Sequence, residues 1–157
     1  MLTKQRNPFG ARLYWECDDV KNGRCDWLEI NQLDTLSQKA TWQAPFNVSV
    51  TGWRRVNDPS ILLDSTSQAF VFPRQSGAIQ GSYFRNQFDL TTSRVGRLTL
   101  YLSPEMVDFN RPLKVVINGK QVYNGPIQYD RSFLLSQFSK ELDHQALWAN
   151  HLTFKVK

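Results

Sequence analysis

LTLYLSPEMVDFNRPLKVVINGKQVYNG, residues 98–125, carries the pattern that decides the fold. Leu98, Leu100 and Leu102 alternate with Thr99 and Tyr101, the period of two that sends successive side chains to opposite faces of a strand. Pro104 and Pro112 bracket a connection. Val115 and Ile117 then enter Asn118-Gly119, a pair that accepts the positive φ of a type I′ hairpin turn. Such a turn sets Ile117 opposite Lys120 and Val115 opposite Val122. The stretch specifies strands and turns and positions no reacting atom.

Outward from it, the same period recurs. Tyr83 to Leu90 reads as one strand. Residues 9–32 read as a hairpin: Leu13, Trp15 and Cys17 alternate with Tyr14 and Glu16, and Asp26, Leu28 and Ile30 alternate with Trp27 and Glu29. Asn22-Gly23 supplies turn residues between them. A weaker strand lies near Phe46–Thr51. Residues 53–80, punctuated by Asn57-Asp58-Pro59 and Pro73, read as a long irregular excursion with apolar bursts at Ile61–Leu63 and Phe70–Phe72. Asp130 is placed to cap a helix over RSFLLSQFSKELDHQ, with Leu134 or Leu135, Phe138 and Leu142 at helical spacing. Leu152, Phe154 and Val156 alternate as a closing strand. The pattern predicts an all-β protein: an antiparallel β-sandwich of about seven to eight strands with one helix near the C-terminus. All 157 residues read as a single domain, without repeats.

Composition narrows the function classes. The chain is 41% hydrophobic, 13% aromatic and 21% charged, a globular composition. No apolar run approaches the roughly 18 to 20 residues that span a bilayer, so no membrane partner is expected. MLTKQRNPFGARLYW has no apolar h-region of a signal peptide. The net charge of +5 is spread singly among acids, with Arg54-Arg55 the only adjacent basic pair. Nucleic-acid binders concentrate such charge on one stripe, so nucleic acid is not expected as a partner.

Catalytic patterns are missing. The nearest approach to a nucleophile elbow, Gly77-Ala78-Ile79-Gln80-Gly81, has isoleucine at its centre. His144 falls just past the helix and His151 at the start of the last strand, where structural or surface roles fit. No Walker loop, dinucleotide fingerprint or His-x-x-x-His pair is present, and nothing singles out two of the 14 acids as a glycosidase pair. No catalytic set, metal or cofactor is expected. Cys17 and Cys25 flank a turn. With an odd loop centred on Lys21 they face each other and can bridge. With a two-residue turn at Asn22-Gly23, Cys17 falls opposite Leu28 and a bridge needs a bulge. Two buried thiols is the alternative.

Five tryptophans raise carbohydrate binding, because sugars present apolar C–H faces that stack on exposed rings. Trp42 and Trp53 lie in or beside irregular, polar segments. Arg54, Arg55, Asn57 and Asp58 stand close enough in sequence to hydrogen-bond a sugar over Trp53. Trp15, Trp27 and Trp148 sit in apolar alternation and read as packing.

The run from Leu98 through Ser103-Pro104-Glu105-Met106-Val107-Asp108, then Arg111-Pro112 and Val116-Ile117-Asn118-Gly119-Lys120, resembles a terminal module. It is similar to the β-sandwich that follows the catalytic domain in some bacterial α/β-hydrolases of the esterase and peptidase type. The likeness is good over 94–157, moderate over 7–32, where Asn7-Pro8 precedes a Trp-bearing strand and Trp27-Leu28-Glu29-Ile30, and poor over 40–80. It implies an Ig-like accessory domain of a larger secreted or periplasmic hydrolase. Its partner would be the catalytic α/β-hydrolase domain of the same polypeptide, on which it would pack and assist substrate binding. Residues 1–8 then read as a linker remnant. The resemblance carries over no catalytic residue, and it implies an apolar patch, with Trp15, Tyr14 or Tyr101 as contributors. The alternatives are a stand-alone polysaccharide-binding module using Trp53 and Trp42, and a small hydrolase in its own right.

Overall fold

A computed structural model describes residues 6–44, 49–55, 57–68 and 75–156. The chain divides into two compact units, residues 1–40 with 76–157, and residues 41–75.

The larger unit is mostly β, with two sheets, one helix and one shared core. Strands β1 (Arg12–Cys17), β2 (Arg24–Cys25) and β3 (Leu28–Leu33) come first; β4 (Ser49–Arg55) and β5 (Asp58–Gln68) belong to the smaller unit. Then follow β6 (Gly77–Phe84), β7 (Gln87–Ser93), β8 (Val95–Leu102), β9 (Leu113–Ile117), β10 (Lys120–Gly125), helix α1 (Arg131–Glu141) and β11 (Asn150–Lys155). The five-stranded sheet runs β1-β6-β7-β9-β10 and the four-stranded sheet β11-β8-β3-β2. Together they exceed the expected seven to eight strands.

Several local expectations hold. Leu98, Leu100 and Leu102 are wholly buried, as are Leu28 and Ile30. Asp130 caps α1, its side chain accepting from Phe133 N–H at 2.9 Å. Leu152, Phe154 and Val156 pack against the core on and just beyond β11. Asn118 and Gly119 take positive φ, 51° and 78°, and Lys120 pairs with Ile117. Val115, however, pairs with Tyr123 rather than Val122, because a bulge between Gln121 and Tyr123 inserts one residue.

Other expectations are corrected. Residues 9–32 do not fold as a hairpin: β1 pairs with β6 in one sheet and β3 pairs with β8 in the other. Between them lies a 3-10 turn at Val20–Asn22, capped by Asp19. Apolar alternation assigns a face to each strand and no neighbour, which is why adjacency in sequence misleads here. Tyr83–Leu90 is not one strand, since the chain reverses at Arg85-Asn86, both at positive φ, between β6 and β7. The five-stranded sheet is not purely antiparallel either. β7 and β9 pair in parallel, because β8 crosses to the opposite sheet and the chain returns in its original direction. At the N-terminal end of the described residues, Pro8 is buried, and Arg6 bridges Asp26 at 2.7 Å and Asp143 at 2.5 Å.

Trp27 centres the core. It is fully buried, meets Tyr83 and Phe88 edge-on at 5.7 and 5.5 Å, and donates its indole N–H to the Gly10 carbonyl at 3.0 Å. Because Trp27 precedes β3 while Phe88 lies on β7, this contact joins the two sheets. The Ser103–Asp108 corner is also spent on packing. Ser103 and Met106 are buried, and Met106 N–H bonds back to the Ser103 carbonyl at 2.9 Å.

The smaller unit contains an antiparallel ribbon, β4 with β5, where an irregular excursion is expected from sequence. Its register shifts between Thr51 and Trp53 and again between Arg54 and Arg55, which blurs the alternation that sequence reading depends on. Phe70–Phe72 lie outside the described residues.

Candidate functional site

The outer face of the five-stranded sheet forms an open groove of about 680 Å³. Strand register builds it in rows. Arg12, Ser82, Asp89 and Val116 lie side by side across β1, β6, β7 and β9, and Tyr14, Gln80 and Thr91 form the next row. Alternation places all of these on the face away from Trp27. The groove floor thus sets the polar groups of Gln80, Ser82, Asp89 and Thr91 among apolar surface that includes Val116, with one aromatic ring at its side.

Tyr14 is 49% exposed, and its hydroxyl donates to Glu16 Oε2 at 2.6 Å. Glu16 Oε1 in turn accepts from Ser76 Oγ. The ring is thus tethered at its polar tip. Partial burial, with the Glu16 hydrogen bond and charge behind it, pushes the phenol pKa up to about 12, so the ring stays neutral at physiological pH. Asp89 accepts from Gln87 Nε2 through both carboxylate oxygens, at 3.0 and 2.9 Å, which sets its orientation. Phe84, further along β6 on the same face, is 71% exposed and carries the Arg85 guanidinium 4.9 Å from its ring centroid.

A second cluster lies on the four-stranded sheet. Tyr101 donates to Glu29 Oε2 at 2.5 Å, and the Arg24 guanidinium lies 3.3 Å over the Tyr101 ring. Arg24 also reaches Glu141 of α1 at 3.5 Å. The His151 ring stacks on Phe133 at 4.5 Å and on Tyr101 at 6.2 Å. Burial, reinforced by the Glu29 hydrogen bond, pushes the Tyr101 pKa up to about 12 against the lowering effect of Arg24. These groups are spent on one another, and the cluster straps α1 to β8. A smaller cavity of about 230 Å³ is lined by Ser103, Glu105, His144 and Tyr129 among others. There the Ser103 hydroxyl accepts from Glu105 N–H at 3.4 Å, and His144 packs edge-on against Phe138 at 5.0 Å.

The site residues expected from sequence fall in the smaller unit. Trp53, Arg54 and Arg55 are on β4, with Trp53 opposite Leu63, Arg54 opposite Leu62 and Arg55 opposite Asp58. The side chains of these three lie outside the described residues. Asn57 and Asp58 are exposed at the ribbon's turn, and Trp42 is partly exposed in the turn at 41–43. Trp27 and Trp148 are core, as expected, while Trp15 is half-buried and bonds the Asn22 carbonyl at 2.9 Å. Cys17 and Cys25 are free thiols, one buried and one half-buried. They end strands that belong to different sheets, so the facing positions of a simple hairpin do not arise.

Sequence reasoning missed the groove. Its polar faces are visible as Gln80-x-Ser82 and Gln87-x-Asp89-x-Thr91, but nothing local says that Tyr14 neighbours Gln80. Among the described residues no group of three or more His, Cys, Asp or Glu is placed to hold a metal ion, and no helix is long and apolar enough to cross a membrane. No family profile, curated protein or solved structure matches the chain.

Proposed function

We propose that this chain is an Ig-like, non-catalytic accessory domain of a larger secreted or periplasmic α/β-hydrolase of the esterase type, packing on its catalytic domain. The observation that carries the reading is a pair of exposed leucines, one on α1 and one at its C-terminal end. Leu135 on α1 is 63% exposed, and Leu142, which ends the helix at φ 50° instead of continuing the apolar stripe expected from sequence, is 68% exposed. Burying a leucine contributes roughly 1.5–3 kcal/mol, a strong incentive for these side chains to meet another surface. The resemblance motifs support the same reading, because the Ser103–Asp108 corner and the Asn118-Gly119 turn serve packing and chain reversal.

The native gene upstream of Met1 tests this directly. An in-frame α/β-hydrolase domain with a nucleophile elbow supports the reading, and a stop codon in that position overturns it. In the longer polypeptide, amides of α1 should exchange more slowly than in the present chain. Leu135→Glu should abolish that protection.

A further inference from the structure

We propose that the outer face of the five-stranded sheet binds an extended, neutral, β-1,4-linked oligosaccharide, with Tyr14 as the stacking platform. This site belongs to the larger unit and uses none of the tryptophan positions that sequence singles out, and it stands whether or not a catalytic domain adjoins the chain.

The chemistry of the face selects the ligand class. Amide, hydroxyl and carboxylate groups from Gln80, Ser82, Thr91 and Asp89 line a floor that is open to solvent. Such a floor rewards a ligand dense in hydroxyls and penalises an apolar one, whose docking would leave these groups unpaired. Across this face the cations Arg12, Arg85 and Lys114 are interspersed with the anions Asp89 and Glu16, so it has no continuous stripe of positive charge for a polyanion. A peptide adding as a strand would pair through its backbone with the edge strand β1, whereas Gln80, Ser82, Asp89 and Thr91 offer side chains on the face of the inner strands β6 and β7. A pyranose chain offers hydroxyls at its rim for the polar rows and an apolar C–H face for a ring.

Geometry sets the shape. Tyr14 pairs with Gln80, and Phe84 stands four residues further along β6 on the same side. At strand rise this separates the rows of the two rings by roughly 13 Å along β6, with Phe84 on the same sheet face beyond the groove lining. Two exposed rings at that spacing, with a polar floor between them, fit a straight chain of several sugars better than a single sugar or a coiled α-linked chain.

Titration calorimetry of the intact chain with cellohexaose, xylohexaose and mannohexaose tests the proposal, alongside amide NMR shifts. At least one hexasaccharide should bind, with shifts concentrated on β1, β6 and β7. Tyr14→Ala should weaken binding roughly tenfold, while Tyr14→Phe, which keeps the ring, should bind within about twofold of the parent. Asp89→Ala should weaken it to a similar degree, and Trp53→Ala should leave it unchanged. Tyr14 and Asp89 are exposed, and an unchanged spectrum away from the groove confirms that each variant is folded. Absence of heat and shifts with all three sugars overturns the proposal. So does binding that survives Tyr14→Ala and disappears with Trp53→Ala.

Discussion

Asn86 grips the backbone of Asp108 from both sides. Its side-chain amide donates to the Asp108 carbonyl at 2.7 Å, and its side-chain carbonyl accepts from Asp108 N–H at 2.8 Å. Asn86 also occupies the tight β6–β7 turn at φ 61°, a conformation that asparagine tolerates better than most residues. One buried side chain therefore ties the reversal at one end of the five-stranded sheet to the corner that leads into β9. Asn86→Ala removes both bonds to the Asp108 backbone and puts alanine at a positive φ that it tolerates poorly. It should lower stability by roughly 2–4 kcal/mol, read as a shift of the urea midpoint with unchanged slope.

Gly81 sits beneath Trp27. A Cβ added there would meet Trp27 Cη2 at 2.7 Å and Leu90 Cδ2 at 2.9 Å. Both neighbours belong to the packed core and have little room to move. Gly81→Ala should therefore destabilise by about 1–3 kcal/mol, and Trp27→Ala, which empties the same place, by about 3–5 kcal/mol. Chemical denaturation of both variants checks this, since an unstrained Gly81→Ala would match or exceed the parent's stability.

The thiols should report their environments. Burial pushes Cys17 up to about 11, and the negative charges of Asp18, Asp19 and Glu16 add to the shift. Burial also raises Cys25, but that side chain is half-exposed. At pH 8 a thiol reagent should label Cys25 first and Cys17 only slowly, with both reacting at once in denaturant. A thiol is neutral when protonated, so a native pKa above the unfolded value lets the unfolded chain lose its proton first. The contribution of Cys17 to stability should be complete below about pH 9 and lost as the pH rises toward 11. Cys17→Ala should flatten the stability profile across that window.

Asp130 holds the start of α1 through its bond to Phe133 N–H and through its own N–H to the Ala149 carbonyl. Only the side-chain bond is lost in Asp130→Ala. The cost should be close to 1 kcal/mol, visible as a lower melting temperature with little change in strand signal. Asp130→Asn, which keeps the cap oxygen, should recover most of it.

The legibility of the fold follows the range of the interaction concerned. The Asn118-Gly119 turn, the Asp130 cap and the alternation through Leu98, Leu100 and Leu102 involve neighbours a few residues apart, and each was readable. The Arg85-Asn86 turn was not, because arginine carries no preference for positive φ and the surrounding alternation runs through it unbroken. The bulge beyond Gln121 escaped for a similar reason: Val122 looks like a strand residue on either register. Of the candidate site, the polar faces of β6 and β7 are visible as alternation, but exposure is easier to infer for tryptophans beside irregular segments than for one face of a sheet.

By itself the sequence determined that this chain is mostly β, where its clearest turn and the helix after Asp130 lie, and which strand faces are apolar. Those properties are local, set by backbone geometry and the period of side-chain orientation. Only the tertiary structure decided that β1 and β3 part into different sheets, that β7 lies parallel to β9, and that Tyr14 meets Gln80 and Thr91 across three strands. A period of two says which way a side chain points and is silent on which strand stands next to it. That choice belongs to the shared core around Trp27, where burial rewards the arrangement as a whole.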